Sequence, residues 1–203
     1  TVNTYKLTYT VDGEVYHTDS IAYGAVVKAV EVPVKEGYTF SGWQDLPSTM
    51  PAKDVVVTGR YSAKKYQMTF VIGDEVISSD SVSYGASITV PEVTAKEGHT
   101  FSGWQNVPAT MPAQDVVVTG AYNVNKYLLT FKIGDEVISS DSLAYGATIT
   151  VPKVTAKEGH TFSGWQNVPA TMPAQDVVVT GAYSVNKYLL TFKIGDRVVA
   201  SDS

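Results

Sequence analysis

The stretch YLLTFKIGDE, residues 127–136, decides the fold of this chain. Tyr127, Leu129, Phe131 and Ile133 alternate with Leu128, Thr130 and Lys132, the period of two that a strand with one buried face requires. Gly134-Asp135 follows, and Asp12-Gly13 takes its place earlier in the chain. Both pairs are residue types that tolerate the positive φ of a tight hairpin turn. A second strand runs through Val137 and Ile138 toward Leu143, with imperfect alternation that predicts a bulge near Ser139-Ser140.

Related strings open at Tyr5, Tyr66 and Tyr188, each 61 residues from the next counterpart, and Trp43, Trp104 and Trp165 keep the same step. The chain is therefore an array. Residues 66–126 and 127–187 differ at 8 of 61 positions, whereas residues 5–65 match the second unit at 33, so the second and third units are recent duplicates. The expected domains are residues 1–63, 64–124 and 125–185, followed by 186–203 as the opening hairpin of a fourth repeat. Val2-Asn3 stand where Val124-Asn125 stand later, and the chain stops in mid-unit, so a fragment of a longer array is expected.

Within the third unit, Ala147 to Val154 is β-branched and interrupted by Pro152, which predicts a short edge strand. Thr161 to Gln166 and Asp176 to Tyr183 are two further strands, joined by a loop carrying Pro169 and Pro173. The Val177-Val178-Val179 run and its counterparts at 55–57 and 116–118 are expected to be central strands, since an open edge of that character invites pairing with another chain. No ten-residue window has the apolar spacing of a surface helix, and at most a single helical turn is expected near Ala147 or Thr171. The expected fold class is mostly β: small modules with little helix. Four-residue connections such as Ser184 to Lys187 are too short for a free tether. With a module diameter near 27 Å, three in line predict a semi-rigid, elongated rod of roughly 80 Å.

Composition narrows the function. The chain has 203 residues and no cysteine, which excludes disulfides, thiolate-bound metals and thiol nucleophiles. Its net charge of −5 opposes binding to nucleic acid or anionic lipid, both of which demand clustered Lys and Arg. No apolar run approaches the roughly 20 residues that cross a bilayer, so membrane insertion is not expected.

The string EGYTFSGW, Glu36 to Trp43, after a strand-hairpin opening and before DVVVTGRY, Asp54 to Tyr61, resembles the Listeria-Bacteroides repeat, or internalin B-repeat, family. The similarity is to a divergent form with T-M-P-A-x-D before the last strand, at Thr49 to Asp54, Thr110 to Asp115 and Thr171 to Asp176. The resemblance implies a β-grasp-type module of secreted or wall-anchored bacterial proteins, serving as a stalk or accessory adhesion domain. It brings no catalytic residues.

An array tests its own chemistry, because a working site should recur in every copy or sit at a residue unique to one. His99 and His160 fill the place of Tyr38, so a base or metal ligand there would be missing from the first copy; His17 has no counterpart. Ser79, Asp80 and His99 can be written as a triad, but nothing resembles a nucleophile elbow. Asp135, Glu136 and Asp141, repeated as Asp74, Glu75 and Asp80, lack the alternating order of a calcium loop. No catalytic, cofactor or metal site is expected, and the chain reads as a non-enzyme. The aromatic positions remain. Strict alternation in Thr39-Phe40-Ser41-Gly42-Trp43 would turn Trp43, Trp104 and Trp165 outward as a ligand-binding row, whereas a bulge at Gly42, Gly103 and Gly164 would swing each indole into the core.

The leading expectation is a tandem β-module stalk of an extracellular bacterial surface or secreted protein, supporting adhesion. Its partners would be neighbouring repeats, with a host or cell-wall glycan or protein as a further candidate. The alternatives are direct binding of a host glycoprotein or glycan through the Trp and Tyr faces, with avidity from repetition, and an accessory array of a secreted carbohydrate-active enzyme. The hairpin at 188–203 could pack on the third unit or mediate self-association. Lys-Asn crosslinks would lower the intact mass by about 17 Da each.

Overall fold

The computed structural model describes residues 2–202, and none of them is helical. The first repeat holds β1 (Thr4–Val11), β2 (Glu14–Ala22), β3 (Tyr38–Phe40), β4 (Val55–Gly59) and β5 (Tyr61–Ala63). The second holds β6 (Lys65–Ile72), β7 (Glu75–Ser83), β8 (His99–Gln105) and β9 (Val116–Val124). In the third are β10 (Lys126–Ile133), β11 (Glu136–Ala144), β12 (His160–Gln166) and β13 (Val177–Val185), and β14 (Leu190–Ile194) with β15 (Arg197–Asp202) follow. The chain divides into two compact units, residues up to 93 together with 103–121, and 94–102 together with 122 onward.

One topology recurs. The third repeat has the strand order β11-β10-β13-β12 and the second β7-β6-β9-β8. The opening strand and the valine strand lie side by side in parallel, with Leu7 opposite Val55, Met68 opposite Val116 and Leu129 opposite Val177. A parallel pair requires a crossover, and the segment between hairpin and valine strand supplies it. The valine strand is central in the second and third repeats, as its sequence implies, whereas in the first repeat β4 (Val55–Gly59) ends its three-stranded sheet. Val57, Val118 and Val179 are at most 1% exposed in all three, while the alternate Val56, Val117 and Val178 face solvent.

In the first repeat the order is β2-β1-β4, and β3 pairs with β5 as a separate two-stranded sheet. The valine strand is interrupted at Arg60, where side chains take over the backbone donors. Asp12 Oδ1 accepts the Tyr61 N–H at 3.0 Å, and Ser41 Oγ accepts the Arg60 N–H at 3.1 Å.

The opening hairpins follow the alternation closely, but the bulge falls one residue before the expected Ser139-Ser140. Phe131 pairs with Ser139 and Lys132 with Val137, which leaves Ile138 as the extra residue. The shift lets Ile138 pack on the core while Val137 stays 52% exposed. Asp12 and Gly13 both take positive φ, whereas at Gly134-Asp135 only the glycine does, so the two sequences choose turns of different sign pattern.

The edge strand expected over Ala147 to Val154 does not form. Only Thr148 keeps a bridge, to Thr171, and the Ala147 carbonyl accepts the Met172 N–H at 2.9 Å, so neither site becomes a helical turn. Side-chain donors replace the ladder: the Pro152 carbonyl accepts Trp165 Nε1–H at 3.2 Å, and the Thr155 carbonyl accepts the Tyr183 hydroxyl at 2.6 Å.

Each repeat has its own core. Leu7, Tyr9, Val27, Met50 and Val57 form the first, Met68, Phe70, Met111 and Val118 the second, and Leu129, Phe131, Met172 and Val179 the third. All four methionines are buried to 2% exposure or less. The hairpin β14–β15 forms a two-stranded sheet of its own, and Phe192 is 52% exposed where its counterpart Phe131 is 2% exposed.

Candidate functional site

The tryptophans stand at the same place in all three repeats, and glycine sets their direction. Gly42, Gly103 and Gly164 have φ of 78°, 96° and 98°. In the third repeat, Phe162 lies opposite Tyr183 and Trp165 opposite Gly181, with the register shift between them. The bulge, and not strict alternation, therefore aims the indole. Phe162 and Trp165 meet edge to face at 5.2 Å over Gly181, where an added Cβ would approach them to 2.7 and 2.9 Å. Gly59 does the same beneath Phe40 and Trp43.

Each indole is half-buried against its repeat's core. Trp43 meets Tyr9 at 4.8 Å, Trp104 meets Phe70 at 5.0 Å and Trp165 meets Phe131 at 4.9 Å, all edge to face. The polar edges are engaged too. Trp43 Nε1–H donates to the Val30 carbonyl at 2.7 Å, and Trp104 and Trp165 donate to the Pro91 and Pro152 carbonyls at 3.2 Å. The indoles thus tie the irregular crossover to the sheet. In the first repeat Tyr16 extends this cluster outward, at 6.3 Å from Trp43.

A second aromatic group lies at the other end of the glycine bulge. Tyr61, Tyr122 and Tyr183 donate their hydroxyls to the carbonyls of Pro33, Thr94 and Thr155. Lys35, Lys96 and Lys157 hold their ammonium groups over the same rings at 5.4, 5.5 and 5.7 Å. These are further fastenings of the crossover, with a cation–π contribution of about 0.5–1 kcal/mol each at such exposed sites.

The other candidates occupy ordinary structural places. His99 and His160 place Nδ1 2.7 and 2.8 Å from the carbonyls of Glu97 and Glu158. His17 stands 4.0 Å from exposed Asp19. Ser79 Oγ bonds Thr69 Oγ1 and the Gln67 amide, and Asp80 accepts from Ser78 Oγ. No group of three or more His, Cys, Asp or Glu residues among those described could hold a metal ion. Burial, and secondarily the Asp19 carboxylate, raises the pKa of Tyr9, whose hydroxyl donates to the Lys28 carbonyl at 2.8 Å.

Two structural roles were not read from the sequence. Asp54, Asp115 and Asp176 each accept, at 2.8 Å, the backbone N–H of Lys6, Gln67 or Leu128. Met50, Met111 and Met172 plug the cores four residues earlier. Both belong to the thrice-repeated T-M-P-A-x-D string, which was the available signal.

Comparison with known proteins agrees with this repeated architecture. Two relatives belong to Evansella cellulosilytica: one named "Putative membrane protein", 26% identical over 81% of this chain and 28% of its own length, and one named "Putative Gly-rich membrane protein", 24% identical over 89% and 25%. Internalin H of Listeria monocytogenes is 32% identical over 49% of this chain and 20% of its own. The chain thus spans between a fifth and little more than a quarter of the length of these curated relatives. The profile of the Listeria-Bacteroides repeat domain matches residues 5–56, 66–118 and 127–179, once per structural repeat and over most of the sequence, and the chain belongs to that family.

Proposed function

We propose that this chain is a non-enzymatic stalk or spacer segment of a bacterial cell-surface or secreted protein, carrying a functional region and supporting adhesion. The observation that carries the reading is the inward use of the repeated tryptophans: the three indoles donate Nε1–H to backbone carbonyls of their own repeats. A row of ligand-binding tryptophans would keep these edges and faces for the ligand. The names of the relatives, internalin and membrane proteins, fit a cell-surface setting. Each repeat in this reading is a β-grasp-like module, supported by the hairpin, the crossover and the parallel central pair, with the boundaries 1–63, 64–124 and 125–185.

Small-angle scattering tests the spacer reading. An array about 80 Å long gives a radius of gyration of about 25 Å, against about 17 Å for a compact globule of 203 residues. The lower value would defeat it. Tyr16 gives the first repeat a more exposed aromatic surface, which favours glycan binding there as the second reading. Enhanced or quenched Trp emission on titrating glycans, lost in Tyr16→Ala, would support that alternative.

A further inference from the structure

Between consecutive repeats, a tyrosine ring lies on a glycine that lacks a Cβ. An added Cβ on Gly37 would come within 2.3 Å of the Tyr84 ring, and one on Gly98 within 2.2 Å of the Tyr145 ring. Each glycine belongs to one repeat and its tyrosine to the next. Linker backbone closes the same contact. Lys64 N–H donates to the Gly37 carbonyl and the Lys64 carbonyl accepts the Tyr84 N–H, both at 2.8 Å. Asn125 does the same between Gly98 and Tyr145, at 2.8 and 2.9 Å. A second ring flanks each tyrosine edge to face, Tyr38 at 5.5 Å from Tyr84 and His99 at 5.8 Å from Tyr145.

The chain contains its own comparison. Gly37 and Gly98 are buried and Tyr84 and Tyr145 half-buried, whereas Tyr23, the equivalent ring of the first repeat, is 59% exposed. Gly159, the equivalent glycine of the third repeat, has φ +71° and open space where the Cβ would stand. The Asn186 N–H still donates to its carbonyl at 2.8 Å, so this bond forms without a ring.

We propose that the tyrosine-on-glycine contact is the locking surface between successive repeats, its partner being the next module of the same family. The contact buries ring area and removes torsional freedom from the linker, while the glycine meets two demands at once: positive φ and the absence of a side chain under the ring. The inference rests on the spacer reading for its biological use, but its local consequences are separate.

Amide hydrogen exchange on the whole chain tests it. Gly98→Ala and Gly159→Ala impose the same kind of backbone strain, but only the first drives a methyl group into a ring. Gly98→Ala should accelerate exchange of the Asn125 and Tyr145 amides at least tenfold, and Gly159→Ala should leave its own partner amide, Asn186, nearly unchanged. Tyr145→Ala should reproduce the acceleration at Asn125, with Tyr23→Ala as the neutral counterpart. Equal effects of the two glycine variants, or unchanged Asn125 exchange in Tyr145→Ala, would overturn the lock. Scattering separates this from the spacer reading: acceleration in a chain whose radius of gyration is near 17 Å would retain the lock and reject the spacer.

Discussion

Tyr9 illustrates how a single residue distinguishes one repeat from its near-copies. Phe70 and Phe131 fill its place in the other cores, so only the first core has a group that can ionise among its buried residues. Its pKa is raised above 10.0 in the folded state, first by burial and then by Asp19. A raised folded-state pKa favours the neutral phenol. The stability linked to that shift is fully present below pH 10 and is lost as pH rises through the folded value. Alkaline unfolding should therefore begin in the first repeat, and Tyr9→Phe should shift that transition to higher pH in a denaturation series. An unchanged alkaline midpoint would reject the assignment. Met111 presents the opposite case, an apolar plug with no titration. Met111→Ala should cost about 2–5 kcal/mol, read from urea denaturation, because a methionine at 1% exposure leaves a cavity.

At the scale of the element, the Asp of T-M-P-A-x-D joins the valine strand to the first strand before their ladder begins. Asp176→Ala should cost about 1 kcal/mol by removing the acceptor for the Leu128 N–H, and Asp176→Asn should restore most of it, since an amide oxygen can still accept. The opening hairpins and valine strands were legible because burial alternates along them with period two. The crossover was not, because its geometry depends on donors more than ten residues away, such as Trp165 and Tyr183, that claim carbonyls a strand would have used. The direction of the tryptophans was similarly ambiguous in sequence. A glycine two residues after a phenylalanine can continue a strand or bulge it, and the choice here goes with rings that must fit over Gly59 or Gly181. Acrylamide quenching measures the result: Trp43, Trp104 and Trp165 should emit to the blue of free tryptophan and resist quenching, and red-shifted, readily quenched emission would restore the exposed-row reading.

At the scale of the whole molecule, the sequence repeats but the surroundings do not. Residues Tyr127 to Asp135 and Tyr188 to Asp196 are identical, so their intrinsic strand and turn preferences are the same. Yet Leu129 is 3% exposed and Leu190 58%. The difference lies in the parallel partner, since β10 pairs with β13 through Leu129 and Val177 while β14 has only β15 beside it. A lone two-stranded hairpin is marginal in water, because it has little apolar area to offset the entropy of ordering. Amides of β14–β15 should thus exchange orders of magnitude faster than their equivalents in β10–β11 when the chain is dilute. Comparable protection of both hairpins at every concentration would mean that local preference suffices, contrary to the packing argument. Protection of 190–202 that appears only as concentration rises would assign the uncovered Leu190 and Phe192 face to a second copy of the chain, and Phe192→Ser should then abolish both that protection and the accompanying increase in mass.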